Sequence, residues 1–249
     1  MQLADKFALV TGGGVGTGRA IAFALAREGC HVAVNYSRSE DEALATAEAL
    51  RETGVRAMAV QGDVGDDSSV RSMVQQAADT LGGLNVLVNN AGATSFIPHG
   101  DMEAVQDDDW DKILAVNLKG PFYVIRAARP YLERDGGVVV NISSVAGVYG
   151  VGSSVPYLAS KAGLNTMTIA LARALGPAIR INSIAPGFID TRWWQVRDEY
   201  ETIKQGATEK SPLKDVCQPE DVADLVMGLI KADLITGQVV VLDGGSNLG

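Results

Sequence analysis

Seven short runs rich in Val, Ile and Ala punctuate the chain: FALVT (7–11), HVAVNY (31–36), RAMAVQ (56–61), NVLVN (85–89), GVVVNI (137–142), RINSIA (180–185) and QVVVLD (238–243). They are nearly continuous in hydrophobicity rather than alternating, as expected of strands in a parallel sheet covered on both faces. Segments of helical spacing separate them, at 16–28, 40–52, 66–80, a long pair over 108–133, 155–175 and 219–231. Ile21, Ala22, Leu25 and Ala26 recur at helical spacing before Gly29, a stop signal, and Pro219 suits a helix start. Strand and helix in alternation predict a doubly wound α/β fold with a mostly parallel seven-stranded sheet and helices on both faces. Neither a low-complexity linker nor a repeat divides the sequence, so residues 1–249 are expected to form one domain.

Composition removes several function classes. With 47% hydrophobic and 20% charged residues, the chain supports a sizeable core and is too apolar for disorder. A net charge of −9 opposes a nucleic-acid or anionic-membrane surface, since either needs a basic field. No apolar run approaches the ~20 residues of a membrane span. The opening MQLADKFALV has neither the basic nor the apolar region of a secretory signal. Cys30 and Cys217 make no disulfide framework, and a cytoplasmic protein is expected. His31 and His99 lack a nearby ligand set, and Asp107-Asp108-Asp109 precedes Trp110 like a solvated helix start, so no metal site is expected.

Directly after FALV stands TGGGVGTGRA (11–20), with five glycines within eight positions. Such a turn lets the backbone approach phosphates, while amide groups and the positive helix end stabilise a pyrophosphate. The spacing misses G-x-G-x-x-G, because a motif opening at Gly14 would need its third glycine where Arg19 stands. A glycine-rich turn without a ligand is the bland alternative.

The spacing Thr11-Gly12-x-x-x-Gly16-x-Gly18 resembles that of the short-chain dehydrogenase/reductase family, in its compact, single-domain, Rossmann-type branch. The resemblance covers nearly all of the chain. Asp63-Val64 is similar to the pair that contacts the adenine ring, and Asn89-Asn90-Ala91-Gly92 matches the family's NNAG motif. Pro186-Gly187, followed by Ile189 and Thr191, resembles the segment that holds the nicotinamide carboxamide, and ITGQVVVLDGG (235–245) is a family-like ending. The resemblance implies a nicotinamide dinucleotide held by these residues together with Gly12, Gly16, Thr17 and Gly18. The motifs follow predicted strands, where such sheets bind ligands.

The end of the second strand bears on the cofactor. An NAD site usually places a carboxylate there, whereas this sequence reads Asn35-Tyr36-Ser37-Arg38, with no acid before Glu40. Arg38 can pair with a 2′-phosphate and Ser37 can donate to it, which favours NADP(H) over NAD(H). The stretch resembles NADP-dependent family members, although Val15 stands where many of them carry a basic residue. The alternative for Arg38 is a solvated side chain pairing with Glu40, Asp41 or Glu42.

Chemistry is carried by SSVAGVYGVGSSVPYLASK (143–161). Tyr157 and Lys161 are four apart in a helical segment and share a face. A free phenol titrates at about 10, and a nearby ammonium favours the phenolate. In the reductive direction Tyr157 is instead the general acid. A helix-surface pair is the bland reading, but Ser144 lies at the spacing of the family's catalytic serine and would donate to the substrate oxygen. Ser143 is the competing serine. By resemblance, Asn117 in AVNLKG completes the catalytic set and holds a water connecting Lys161 to solvent; taken alone, it is a polar residue bending a helix.

The resemblance also implies a substrate lid over about 188–216. Trp193 and Trp194 would line the substrate cavity with Phe188, Tyr149, Thr94 and Phe96, unless the tryptophans pack in a subunit interface. Homotetramers are common among compact members, joined through the long helices and the last helix–strand unit. The expected partner is a small carbonyl or alcohol substrate. The nearest-looking subgroup, the 3-oxoacyl carrier-protein reductases, docks an acidic carrier; Asp135 in LERDGG and the acidic balance place that assignment behind a carbonyl reductase of unspecified substrate. Two rivals stand further back: an NAD-dependent alcohol or sugar dehydrogenase, which Arg38 opposes, and a non-catalytic nucleotide sensor, which would not need the full catalytic set.

Overall fold

The computed structural model describes residues 1–248. Strands β1 (Phe7–Val10), β2 (His31–Tyr36), β3 (Ala57–Gln61), β4 (Val86–Asn89), β5 (Gly137–Ile142), β6 (Ile179–Pro186) and β7 (Val239–Leu242) form one sheet in the order 3-2-1-4-5-6-7. Every neighbouring pair is parallel, so the sheet expected to be mostly parallel is wholly so. The order reverses between β1 and β4, and that switch point opens a crevice beyond the carboxyl ends of the strands.

The helices are α1 (Gly16–Arg27), α2 (Glu40–Arg51), α3 (Asp67–Leu81), α4 (Asp107–Leu114), α5 (Gly120–Leu132), α6 (Ala146–Tyr149), α7 (Val155–Leu175), α8 (Arg192–Gln195), α9 (Tyr200–Lys210) and α10 (Pro219–Lys231). Helices α4 and α5 are joined by a π-turn at Ala115–Lys119. Capping residues fix several starts. The Asp66 carboxylate accepts from Ser69 N at 2.7 Å to open α3, and Asp109 closes a capping box with Gln106 at the start of α4. The acidic triplet therefore begins a helix, as expected.

Alternate strand residues enter two cores. Ala8, Val10, Val34, Val88 and Val140 pack with Ile21 and Leu25 of α1, Leu50 of α2 and Val226 of α10. Leu9, Ala33, Leu87 and Val139 pack on the opposite face with Met73 and Val74 of α3, Leu132 of α5 and Ala172 of α7. Both faces are covered, which explains why the strands read as unbroken apolar runs. Each large aliphatic side chain so buried contributes about 1.5–3 kcal/mol.

One polar row crosses this apolar sheet. Asn89, Asn141 and Ser183 lie in register on β4, β5 and β6, all buried. Asn89 Nδ2 donates to Asn141 Oδ1 at 2.9 Å, Asn141 Nδ2 donates to Thr168 Oγ1 of α7 at 2.9 Å, and Ser183 Oγ donates to Asn141 O at 3.2 Å. A buried polar group left without such a partner costs about 1–3 kcal/mol.

Candidate active site

The loop after β1 is clamped to the loop after β4. Thr11 Oγ1 accepts from Asn90 N at 2.9 Å and Ala91 N at 3.1 Å, while Asn90 Nδ2 donates to Thr11 O at 3.0 Å and Gly12 O at 3.1 Å. Gly12 takes φ +60° and Gly16 φ +51°, in the left-handed region. A Cβ on Gly18 would lie 2.2 Å from Gly12 O, so no side chain fits at that position. Val15 gives α1 no side-chain cap, which leaves the amides of its first turn and its positive end for an anion. These residues fit the pyrophosphate of a dinucleotide.

The end of β2 departs from expectation at one residue. Asn35 is buried, with Oδ1 accepting from Gly12 N at 3.3 Å and Nδ2 donating to Gly62 O at 2.9 Å and Tyr36 O at 3.1 Å. Its amide supports the glycine loop from beneath and does not face a ligand. Tyr36 donates its hydroxyl to Glu40 at 2.8 Å. Ser37 and Arg38 are exposed, and among the described residues Arg38 makes no ion pair. Glu42, one of its suggested partners, instead receives Arg192 Nη1 at 2.9 Å. Asp63 is exposed and accepts from Gly65 N at 2.8 Å, whereas Val64 is buried.

A cavity of about 1040 Å³ opens beyond β4, β5 and β6. Thr17, Asn90, Gly92, Pro186, Gly187, Ile189 and Thr191 line one part of it, and Ser144, Tyr157 and Lys161 another. Lys161 is 4% exposed; its Nζ donates to Ile142 O at 2.8 Å and lies 5.7 Å from the centre of the Tyr157 ring. Burial pushes the Lys161 ammonium down to about 8. Burial also raises the Tyr157 phenol above its ordinary value, and the hydrogen bond with the Ser144 hydroxyl pulls only partly the other way. Burial therefore governs the Tyr157 phenol here, rather than the lowering by Lys161 that the sequence suggests. Tyr157 keeps its proton at neutral pH. Ser143, the competing serine, is buried and donates to Lys161 O at 3.4 Å.

Asn117 lies behind this cavity on the π-turn. Its Oδ1 accepts from Ala93 N at 2.8 Å, and its Nδ2 donates to Ala93 O at 2.8 Å and Ser160 Oγ at 3.1 Å. Ser160 Oγ in turn donates to Tyr157 O at 2.7 Å. The side chain therefore fixes the loop after β4 relative to the tyrosine.

Aromatic rings close the far side. Trp194 stacks on Phe188 at 5.2 Å between centres and meets Phe96 edge-on at 5.2 Å. A Cβ on Gly92 would lie 3.9 Å from Trp193 Cη2, so that indole reaches over the NNAG loop. Both tryptophans line the cavity. The segment after β6 is anchored by Asp190, which accepts from Tyr200 Oη at 2.6 Å, Gln195 Nε2 at 3.1 Å and Lys204 Nζ. Burial works against the Asp190 carboxylate, yet these donors together hold it below its ordinary range.

Comparison with known proteins gives concordant results. A family model described as enoyl-(acyl carrier protein) reductase matches residues 13–247. A Streptomyces violaceoruber protein named as ketoacyl reductase 2 of the granaticin polyketide synthase is 43% identical, over 97% of this chain and 96% of its own. The 3-oxoacyl-[acyl-carrier-protein] reductase FabG of Staphylococcus aureus is 38% identical, over 96% of this chain and 97% of its own. A crystal structure of a short chain dehydrogenase from Burkholderia cenocepacia in complex with NADP superposes with a TM-score of 0.89 at 34% identity, over 99% of this chain and 100% of that one. The chain belongs to the short-chain dehydrogenase/reductase family.

Two expected substrate contacts of this short-chain dehydrogenase/reductase fall outside the cavity wall. Tyr149 is carried on α6 and is 44% exposed, turned to solvent. Thr94 pairs its hydroxyl at 2.5 Å with that of Ser153, which does line the cavity. Other residues escaped sequence reasoning. A Cβ on Gly147 would lie 2.4 Å from the Lys161 carbonyl carbon, so this glycine lets α6 pack on the backbone that presents the lysine. Its signal was faint, one glycine in a glycine-rich stretch. Asp190 was more visible, as an acid directly after Pro186-Gly187-Phe188-Ile189.

Proposed function

We propose that this short-chain dehydrogenase/reductase uses NADPH to reduce a ketone, and that 3-oxoacyl groups and ring ketones formed from them are its substrate class. The reading rests above all on one observation: Ser144, Tyr157 and Lys161 face a single cavity whose opposite wall is aromatic. The names of the ketoacyl-reductase relatives support the substrate class. Arg38, exposed beside Ser37 and without an ion pair among the described residues, supports recognition of a 2′-phosphate, and the NADP bound to the Burkholderia relative agrees with it.

NADPH, when bound, supplies the hydride that adds to the carbonyl carbon. Tyr157 delivers its hydroxyl proton to the carbonyl oxygen as the C=O π pair moves onto that atom. Ser144 Oγ donates a hydrogen bond to the same oxygen and stabilises its developing charge. Lys161, held by Ile142 O, stabilises the phenolate left on Tyr157. Asn117 is a positioning residue for the tyrosine and the loop after β4. Closure of the lid residues over the cavity excludes water from the hydride path.

A homo-oligomer joined through the long helices belongs to this reading on the family resemblance. Two unpaired thiols, Cys30 and Cys217, suit a reducing, cytoplasmic compartment. The decisive experiment follows NADPH oxidation, and separately NADH oxidation, with 3-oxoacyl thioesters, ring ketones, diketones and sugars. NADPH-dependent turnover confined to the first two classes is expected; turnover with NADH alone, or only with sugars, would overturn the reading.

A further inference from the structure

The lid carries a cation that the reduction step does not use. Arg197 follows α8 and lines the cavity, its guanidinium carbon 4.2 Å from the centre of the Phe96 ring. That ring belongs to the wall formed with Trp194 and Phe188. Stacking on a ring face leaves the in-plane N–H donors of the guanidinium available. One terminal nitrogen sits 3.5 Å from the exposed Glu199, and Nε is buried without a hydrogen-bond partner. The acids on the cavity wall are engaged elsewhere. Asp215 accepts from Val216 N at 2.8 Å, and Asp243 from Gly245 N at 2.9 Å and Asn247 Nδ2 at 2.8 Å.

We propose that Arg197 reads the charge of the substrate: the cavity takes a flat aromatic ketone bearing a carboxylate or ionised phenol, with its ring against Phe96, Phe188 and Trp194 and its anion on the Arg197 fork. The inference rests on the reading of this cavity as the substrate site. A guanidinium matches a carboxylate by two parallel hydrogen bonds, which its terminal nitrogens can offer at the cavity wall. Because the same arginine is stacked on the aromatic wall, ring and charge are recognised together.

The test is titration calorimetry with 2-naphthoate against its neutral counterpart, 2-naphthamide. The acid is expected to bind about tenfold more tightly, as a charge-assisted hydrogen bond implies. Arg197→Gln should erase the preference and Arg197→Lys should keep part of it. Glu199→Gln removes the competing carboxylate and should enlarge it, which provides a second variant if the first does not fold. Equal affinities in the unaltered protein, binding of neither compound, or a preference unmoved by both variants overturns the assignment. So does a dependence on Arg197 seen only with phosphopantetheine thioesters, whose phosphate would then be the anion. NADPH oxidation is followed separately: an intact naphthoate preference without turnover of any ketone would sink the reductase reading and leave the Arg197 assignment standing.

Discussion

Lys161 Nζ donates to the carbonyl of Ile142 across 2.8 Å, tying the middle of α7 to the last residue of β5. The bond holds a charge that burial disfavours, with the ammonium pushed from 10.5 down to about 8. Since the folded value lies below the unfolded one, the cost is full below about pH 8 and is relieved as pH rises towards 10.5. Lys161→Met should therefore raise stability at neutral pH by about 2 kcal/mol while abolishing turnover. Urea unfolding with a parallel rate assay checks it, and a less stable variant would refute the account.

The same group sets a pH limit on the reaction. Lys161 loses its proton above about pH 8, whereas the raised Tyr157 phenol keeps its own to higher pH. The expected profile of kcat/KM for NADPH, which reports the free enzyme, is flat at neutral pH and falls above about 8. A profile rising through that region would assign the limb to another group.

Tyr157→Phe keeps the ring and removes the proton. Turnover should fall by about 10²–10⁴-fold, while NADPH affinity changes little by fluorescence titration. Retained turnover would disqualify Tyr157 as the acid.

Arg38 is exposed and makes no ion pair among the described residues, so its removal should be felt by the cofactor alone. Arg38→Ala is expected to weaken NADPH by about tenfold or more and NADH scarcely at all. Equal weakening of both, read from their KM values, would mean that Arg38 serves the fold.

Gly147 tests the packing behind the lysine. Since a Cβ would come 2.4 Å from the Lys161 carbonyl carbon, Gly147→Ala must displace α6 or α7. Loss of about 1–3 kcal/mol in stability is expected, with a lower kcat. An alanine variant that matches the parent in both unfolding midpoint and kcat would show that the contact is soft.

The sheet was legible because burial on both faces makes each strand a plain apolar run. The starts of α7 and α10 were legible too, each marked by a proline in its first turn. Tyr157 and Lys161 could be paired by helical spacing, whereas Ser144 was singled out from Ser143 by its resemblance to the family's spacing. What stayed hidden depends on contacts distant in sequence or on direction within a buried segment. Helix α6 has only four residues and leans on α7 through Gly147. Helices α8 and α9 gather around Asp190 through side chains five to fourteen positions further on. Asn35 sits in a strand buried on both faces, where no alternation tells which way an amide points. Tyr149 went astray for a related reason, since the turn of α6 that carries it outward has no signature of its own.

The row formed by Asn89, Asn141 and Ser183 has a further consequence for the chemistry. Each of these residues stands one to three positions before the first of two residues that line the cavity: Asn90 and Gly92, Ser143 and Ser144, and Pro186 and Gly187. A strand shifted by a single place would bury its amide or hydroxyl against an apolar neighbour and turn its side chains to the opposite face. The three amino acids serve as a shared datum line, so the height of every loop at the cavity floor is levelled when the sheet forms, before any ligand arrives.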